Sequence, residues 1–259
     1  MRWSPQPDTK VYDTLHRCFP GALPGDALLR RTVGVLELHG VRTGNTIYGQ
    51  SICPDEINNE PGDLATLMSE HWGNCFPMGG IGGAPFVGKT GFGAFSGHVP
   101  DNGNVVILFG PHIAISESGD LGKYLREGQS KHSSACGAVL AAYEQCKVSS
   151  SQDDEDDELD MQQAWLRKHL RKEMPNITRH DEPLQALMLA AYEAVKTKLL
   201  KCVNTDFGTG NLVLIGGIQI NMPQPSVDHF QPLCFTVQSS VGPPVDLLHE
   251  FQWCDQYHA

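Results

Sequence analysis

Apolar positions along the chain alternate between a helical and an extended rhythm. Over Asp26–His39, Leu28, Leu29, Val33 and Leu36, with Val35 beside them, recur at helical spacing, and Gly40 is suited to close the element. Thr46–Ile52 is a short apolar run with strand character, broken at Cys53-Pro54-Asp55-Glu56. Pro54 removes a ladder donor, and the acidic pair after it favours the opening turn of a helix. Asp63–Trp72 is a second predicted helix, between Pro61-Gly62 and Gly73. Asn104–Gly110 (NVVILFG) is a continuous β-branched and apolar run, as in a buried parallel strand, and Pro111-His112 comes at once after it. Residues 119–131 form a polar connection with a short helix. Ser133 or Ser134 then caps a small-residue helix running to about Cys146, with Cys136 in its first turn. Met161–Met174 and Glu182–Val203 predict two amphipathic helices, the first ending before Pro175. Asn211–Asn221 and Pro232–Gln238 predict two more strands, with Gly216-Gly217 marking a bulge or close packing. The Pro-rich first 23 residues predict a helical turn packed on the body. Phe251, Trp253 and Tyr257 form an aromatic tail that docks on the body or on a partner subunit. Alternating helices and strands define an α/β class.

Between Gly73 and Pro100 lie nine glycines, which imply sharp bends or close backbone approach. Gly83–Thr90 (GAPFVGKT) matches the spacing of a phosphate-binding loop. That reading needs a strand before it and a helix opening at Lys89-Thr90, and Gly91, Gly93, Gly97 and Pro100 argue against the helix. The 259 residues, 40% of them hydrophobic, suffice for one large domain, and a single catalytic domain over 1–259 is expected. An acidic loop at about 148–160 divides it into two halves. The formal charge of -11, much of it in Asp153–Asp160, argues against nucleic acid or an anionic membrane as the main partner. No apolar stretch approaches the ~20 residues of a membrane span. The segment MRWSPQPDTK lacks the apolar core of a signal peptide, and no transit peptide is visible. Eight cysteines, none in a CxxC pair, fit reduced thiols with a few as metal ligands.

Cys53 stands just past one predicted strand, His112 just past another, and Cys136 sits at a helix start, where the dipole favours a thiolate. Zinc held by two thiolates and an imidazole, with a fourth position open to water, is an established catalytic arrangement. Asp55, two residues from Cys53, is placed near that water. Spacing alone leaves Cys75, His71 and His98 as competing ligands. It also leaves a buried structural Cys53, or a thiol nucleophile at Cys136 served by His112, as other readings.

The segments SICPDEIN, GGIGGAPFVGKTGFGAFSGHVP, NVVILFGPH and SSACGA, in that order, resemble the LCIB/LCIC low-CO2-inducible family, also called theta-class carbonic anhydrases. The resemblance covers about residues 20–240. It implies a β-carbonic-anhydrase-like α/β fold with a mostly parallel central sheet flanked by helices, a homodimer, and one Zn2+ per site. The implied activity is reversible hydration of CO2 to bicarbonate by zinc-bound hydroxide, in inorganic carbon acquisition in an algal plastid (chloroplast). The implied ligands are Cys53, His112 and Cys136. Cys53-Pro54-Asp55 also resembles the start of the β-class pattern Cys-x-Asp-x-Arg, which makes Asp55 the acid beside the water. Ile57 stands where that pattern has Arg, so the guanidinium must come from elsewhere, with Arg42 or Arg31 as candidates. The family's two histidines before Val-Pro are here Gly97-His98, which leaves His98 as the imidazole for proton shuttling. Phe86, Phe92 and Phe95 of the Gly-rich stretch are expected to line the CO2 pocket. Because some family members are inactive alone, the alternative is a catalytically weak scaffold that binds a carbon-concentrating assembly through its acidic loop and aromatic tail.

Overall fold

Residues 9–148 and 158–253 are described by a computed structural model. Helix α1 (Thr9–Cys18) leads through strand β1 (Leu23–Pro24) into helix α2 (Gly25–Leu38). Strand β2 (Thr46–Ser51), helix α3 (Leu64–Trp72), strand β3 (Cys75–Pro77) and helix α4 (Gly88–Ser96) come after it. Only Gly110 and Pro111 separate strand β4 (Asn104–Phe109) from strand β5 (His112–Ala114). Two short strands, β6 (Lys123–Tyr124) and β7 (Ser133–Ser134), pair with each other ahead of helix α5 (Gly137–Val148). Helices α6 (Met161–Arg179) and α7 (Pro183–Cys202) come next. Strands β8 (Asn211–Asn221), β9 (His229–Ser239) and β10 (Val245–Asp246) precede helix α8 (Leu248–Trp253). No helix among the described residues is long and apolar enough to cross a membrane.

The main sheet runs β1-β9-β8-β4-β2-β3, with β10 also on β9 and β5 also on β8. Strands β3, β2, β4 and β8 are mutually parallel, while β9 pairs antiparallel with its neighbours. This is the expected mixed α/β fold with a mostly parallel sheet. Its two faces explain why β4 is apolar from Val105 to Phe109. Val105, Ile107 and Phe109 pack toward α5, α6 and α7, and Val106 and Leu108 pack toward α2 and α3. Each such side chain contributes about 1.5–3 kcal/mol on burial.

Three local expectations are corrected. A helix, α4, does form after the glycine-rich turn. Buried Phe92 and Phe95 offset the ~1 kcal/mol that each interior glycine costs. The phosphate-loop reading still fails. No strand runs into Gly83, and a Cβ there would lie 2.2 Å from the Gly110 carbonyl oxygen, so this loop is packed onto the sheet. Pro175 does not end α6, because Leu166, Leu170 and Ile177 continue one buried face past it to Arg179. Residues 119–131 form no helix. Gly119, Gly122 and Gly128 all take left-handed φ, and the segment instead frames β6 and β7. Phe251 docks on the body, edge-on to Phe235 at 5.4 Å between ring centres. Tyr257 and most of the acidic run lie outside the described residues.

Strands β2 and β4 end side by side, Ser51 opposite Phe109 and Phe109 opposite Gly216, while β8 runs on to Asn221 alongside β5, so the segments leaving β2 and β4 gather beside the extension of β8. The expected irregularity at Gly216-Gly217 is a register shift against β9, and a Cβ on Gly216 would lie 2.2 Å from the Phe109 ring. Gly110 makes the turn from β4 into His112 at φ +145°, and a Cβ there would lie 1.8 Å from the Gly217 carbonyl oxygen. Gly110→Ala therefore combines backbone strain with overpacking. It should destabilise the fold by about 2–5 kcal/mol, measured as a lowered denaturation midpoint.

Candidate metal centre

Each donor side chain is fixed by a different segment. The chain leaves β2 with the Ser51 carbonyl accepting the Gly110 N–H at 3.1 Å, and turns at Cys53-Pro54. Asn58, in the short 3-10 turn beyond it, donates its amide to the Cys53 carbonyl at 3.1 Å. His112 opens β5, and its Nδ1 lies 2.8 Å from Asn221 Oδ1 at the end of β8. Cys136 immediately precedes α5, one position earlier than a first-turn placement, and its carbonyl accepts the Leu140 N–H.

The donor atoms of Cys53, His112 and Cys136 all lie within 4.8 Å of one another, and all three residues are buried. The two Sγ atoms are 3.7 Å apart. Thiolates ~2.3 Å from one tetrahedral zinc lie roughly 3.8 Å apart, so the spacing suits a shared ion. His112 Nε2 is buried without a hydrogen-bond partner, 3.7 Å from Asp55 Oδ2. Leaving such a group unsatisfied costs about 1–3 kcal/mol, and a cation between Nε2 and the thiols removes that cost. Two thiols and an imidazole form a soft-to-borderline set suited to zinc.

The thiols are electrostatically unequal. The contact with Cys53 pulls the Cys136 thiol down against its burial, and the Val139 and Ala138 backbone N–H groups pull the same way. The contact with Cys136, then burial, pushes Cys53 far up. The contact thus favours ionisation at Cys136 over Cys53. Burial opposes charge on His112, but neighbouring Cys53, then Asn221 and Asp55, raise it overall.

Asp55 is held by Arg126, whose Nη2 donates to both carboxylate oxygens at 2.8 and 2.9 Å. The Nε of the same guanidinium donates to Glu56 at 2.6 Å, and its Nη1 donates to Ser133 Oγ. Arg42 and Arg31 do not take this place. Arg42 precedes β2, at the opposite end from Asp55, and a six-residue strand spans about 20 Å. Arg31 extends over the Phe251 ring. Arg126 was missed because it lies 71 residues from Asp55, although it is the one arginine between His112 and Cys136.

The competing ligands stay apart from the cluster. Cys75 opens β3 opposite Tyr48, and the His71 ring meets Trp72 edge-on. His98 is exposed just beyond α4, beside Phe76. A pocket of about 370 Å³ opens on the cluster, lined by Cys53, Asp55, Ile81, Arg126, Ser133 and Cys136 among others. Phe86, Phe92 and Phe95 do not line it. Phe86 packs on Trp165 and the other two lie in the core, so Ile81 is what the Gly-rich stretch brings to the wall.

Fold and cluster together define an α/β protein with a metal-type Cys-His-Cys site at the carboxyl ends of parallel strands. The model for limiting CO2-inducible proteins B/C beta carbonic anhydrases matches residues 22–239, and the chain belongs to that family. It is similar to the crystal structure of PtLCIB4, a homolog of the limiting CO2-inducible protein LCIB. Identity is 30% over 91% of this chain and 98% of that one, with a TM-score of 0.83. A point variant of PtLCIB4 superposes at a TM-score of 0.76, with 30% identity over the same shares. LCIB itself, at 24% identity over 90% of this chain and 96% of that one, shares the fold at a TM-score of 0.69. The comparison with curated proteins gave no match.

Below the cluster, burial pushes the Asp228 carboxyl up to about 7, with the nearby charge of Asp63 acting the same way. An aspartate in the unfolded chain titrates near 3.9. The folded chain therefore binds the extra proton between these values. The contribution of Asp228 to stability is full below about 4 and is lost as pH rises through about 7. Asp228→Asn, which cannot ionise, should gain stability relative to the native chain by roughly 2–3 kcal/mol between pH 5 and 8 in paired unfolding titrations.

Proposed function

We propose that the chain is a carbonic anhydrase that interconverts CO2 and bicarbonate, with zinc held by Cys53, His112 and Cys136. The observation that carries this reading is the buried, unpartnered His112 Nε2 facing two thiols in a family of carbonic anhydrases. Bound zinc supplies a Lewis acid that acidifies water toward a pKa of roughly 7.

The protein's own groups do the rest. The Ala138 and Val139 N–H groups favour the anionic form of Cys136 that a cation needs. Arg126 fixes Asp55 by both oxygens, leaving lone pairs that accept a hydrogen bond from pocket water and orient it. Ile81 and Ala138 give the pocket an apolar wall for CO2, and the Arg126 guanidinium gives bicarbonate a cationic neighbour. The proton leaves to buffer through the mouth of the pocket, whose lining does not include His98. In the scaffold alternative, Asp55 itself would fill the fourth zinc position. Two hydrogen bonds to Arg126 oppose that movement, which favours the catalytic reading. A homodimer and a plastid setting in inorganic carbon acquisition belong to the same proposal.

The native chain should bind one zinc per chain and hydrate CO2. Cys136→Ser should lose both, as read by metal analysis and stopped-flow hydration. Arg126→Ala should keep its zinc and lose at least about 10-fold in kcat. A zinc-loaded native chain with no hydration activity would favour the scaffold.

A further inference from the structure

The Cys53 turn and His112 share a buried polar network that the reaction itself does not use. Asn221 Oδ1 is 2.8 Å from His112 Nδ1. At its other end, Asn221 Nδ2 lies 2.7 Å from Asp228 Oδ2, 3.1 Å from the Ile57 carbonyl oxygen and 3.1 Å from Asn58 Oδ1. Asn58 uses its own Nδ2 on the Cys53 carbonyl, so its oxygen faces Asn221 as an acceptor. Asp228 also accepts the Met222 N–H at 2.7 Å.

These partners fix the orientation of the Asn221 amide. Its nitrogen faces three oxygens, one a backbone carbonyl that can only accept, so its oxygen must face the imidazole. An amide oxygen only accepts, so the proton of the neutral ring sits on Nδ1. The bare Nε2 lone pair is then aimed at Cys53, Cys136 and Asp55. We propose that Asn221 is a positioning residue that fixes the tautomer and ring orientation of His112 for metal binding. Through Ile57 and Asn58 it also ties that ring to the turn carrying Cys53. The proposal rests on the reading that the cluster holds zinc. It assigns the selection of Nε2 to a residue 109 positions away in sequence.

Partners of this kind on metal-bound histidines are typically worth 10–100-fold in metal affinity. The test uses the full chain loaded with Zn2+ or Co2+. Chelator competition should show Asn221→Leu binding Zn2+ about 10–100-fold more weakly than the native chain. Its Co2+ form should keep thiolate-to-cobalt charge-transfer bands, because both cysteines remain in place. In the native Co2+ protein, the His112 ring N–H should give a slowly exchanging, hyperfine-shifted proton signal, and in the variant that signal should be lost to solvent exchange. A merely structural role would weaken thiolate and imidazole signatures together, and that result overturns the proposal. So does a variant whose zinc affinity stays within twofold of native. If Asn221→Leu does not fold, the native protein decides alone, since a fast-exchanging His112 ring N–H overturns the assignment and a protected one supports it. A native chain that binds neither ion overturns the zinc reading and this inference together. Normal native binding with an unaffected variant overturns this inference alone.

Discussion

The site depends on the register of three parallel strands. Because Ser51, Phe109 and Gly216 stand side by side, β2 and β4 end together at one edge and β8 extends past both. The turn after β2 delivers Cys53, the two-residue break after β4 delivers His112, and the extension of β8 delivers Asn221 behind it. A one-residue slip would flip each side chain to the other face and separate the donors. Both faces of β4 are buried, so a slip would also drive Val105, Ile107 and Phe109 into the opposite core cluster and their neighbours out of it, disrupting close packing on both sides. Core packing and donor geometry are therefore one constraint.

The charge pattern inside the cluster points the same way. Two thiols 3.7 Å apart in a buried setting cannot both ionise without a counter-charge, and the helix amides beside Cys136 favour ionisation there. A purely structural pair gains nothing from those amides, since neutral thiols pack well as small apolar groups. An imidazole nitrogen left without a partner beside them is also a poor way to fill a core. A cation resolves both features at once.

Much of this was legible in the sequence for identifiable reasons. The uninterrupted apolar run of β4 and the helical stripe of α2 announce burial on two faces and on one. Cys53 and His112 could be placed because Pro54 and Pro111 mark strand ends. What the sequence hides is long-range or cooperative. Helix α4 forms against its glycines because two phenylalanines find the core, and α6 runs through Pro175 because Ile177 does. Neither gain is visible in local propensity. His98 and the three phenylalanines were read from their motif neighbourhood, but α4 packing turns Phe92 and Phe95 into the core, Phe86 packs on Trp165, and His98 lies beside Phe76 outside the pocket lining. Arg126 and Asn221 escaped notice because nothing local marks a partner 71 or 109 residues distant.

The departure at Ile57 has a physical reading in these terms. Where the β-class pattern places an arginine, this chain has a side chain buried with Tyr124, Ala114 and Ala135. Tyr124 ends β6 and Ala135 comes directly after β7, and Arg126 lies between them in sequence. An arginine at 57 would put a charge into that small apolar contact, and Asp55 and Glu56 already share the Arg126 guanidinium. Ile57 instead anchors the ribbon, and the ribbon delivers the guanidinium to Asp55 from the other side of the pocket. The Asp–Arg pair is thereby built across the site rather than within one turn. Its integrity then depends on the same ribbon that leads into Cys136, so the acid, its partner and one donor are positioned together.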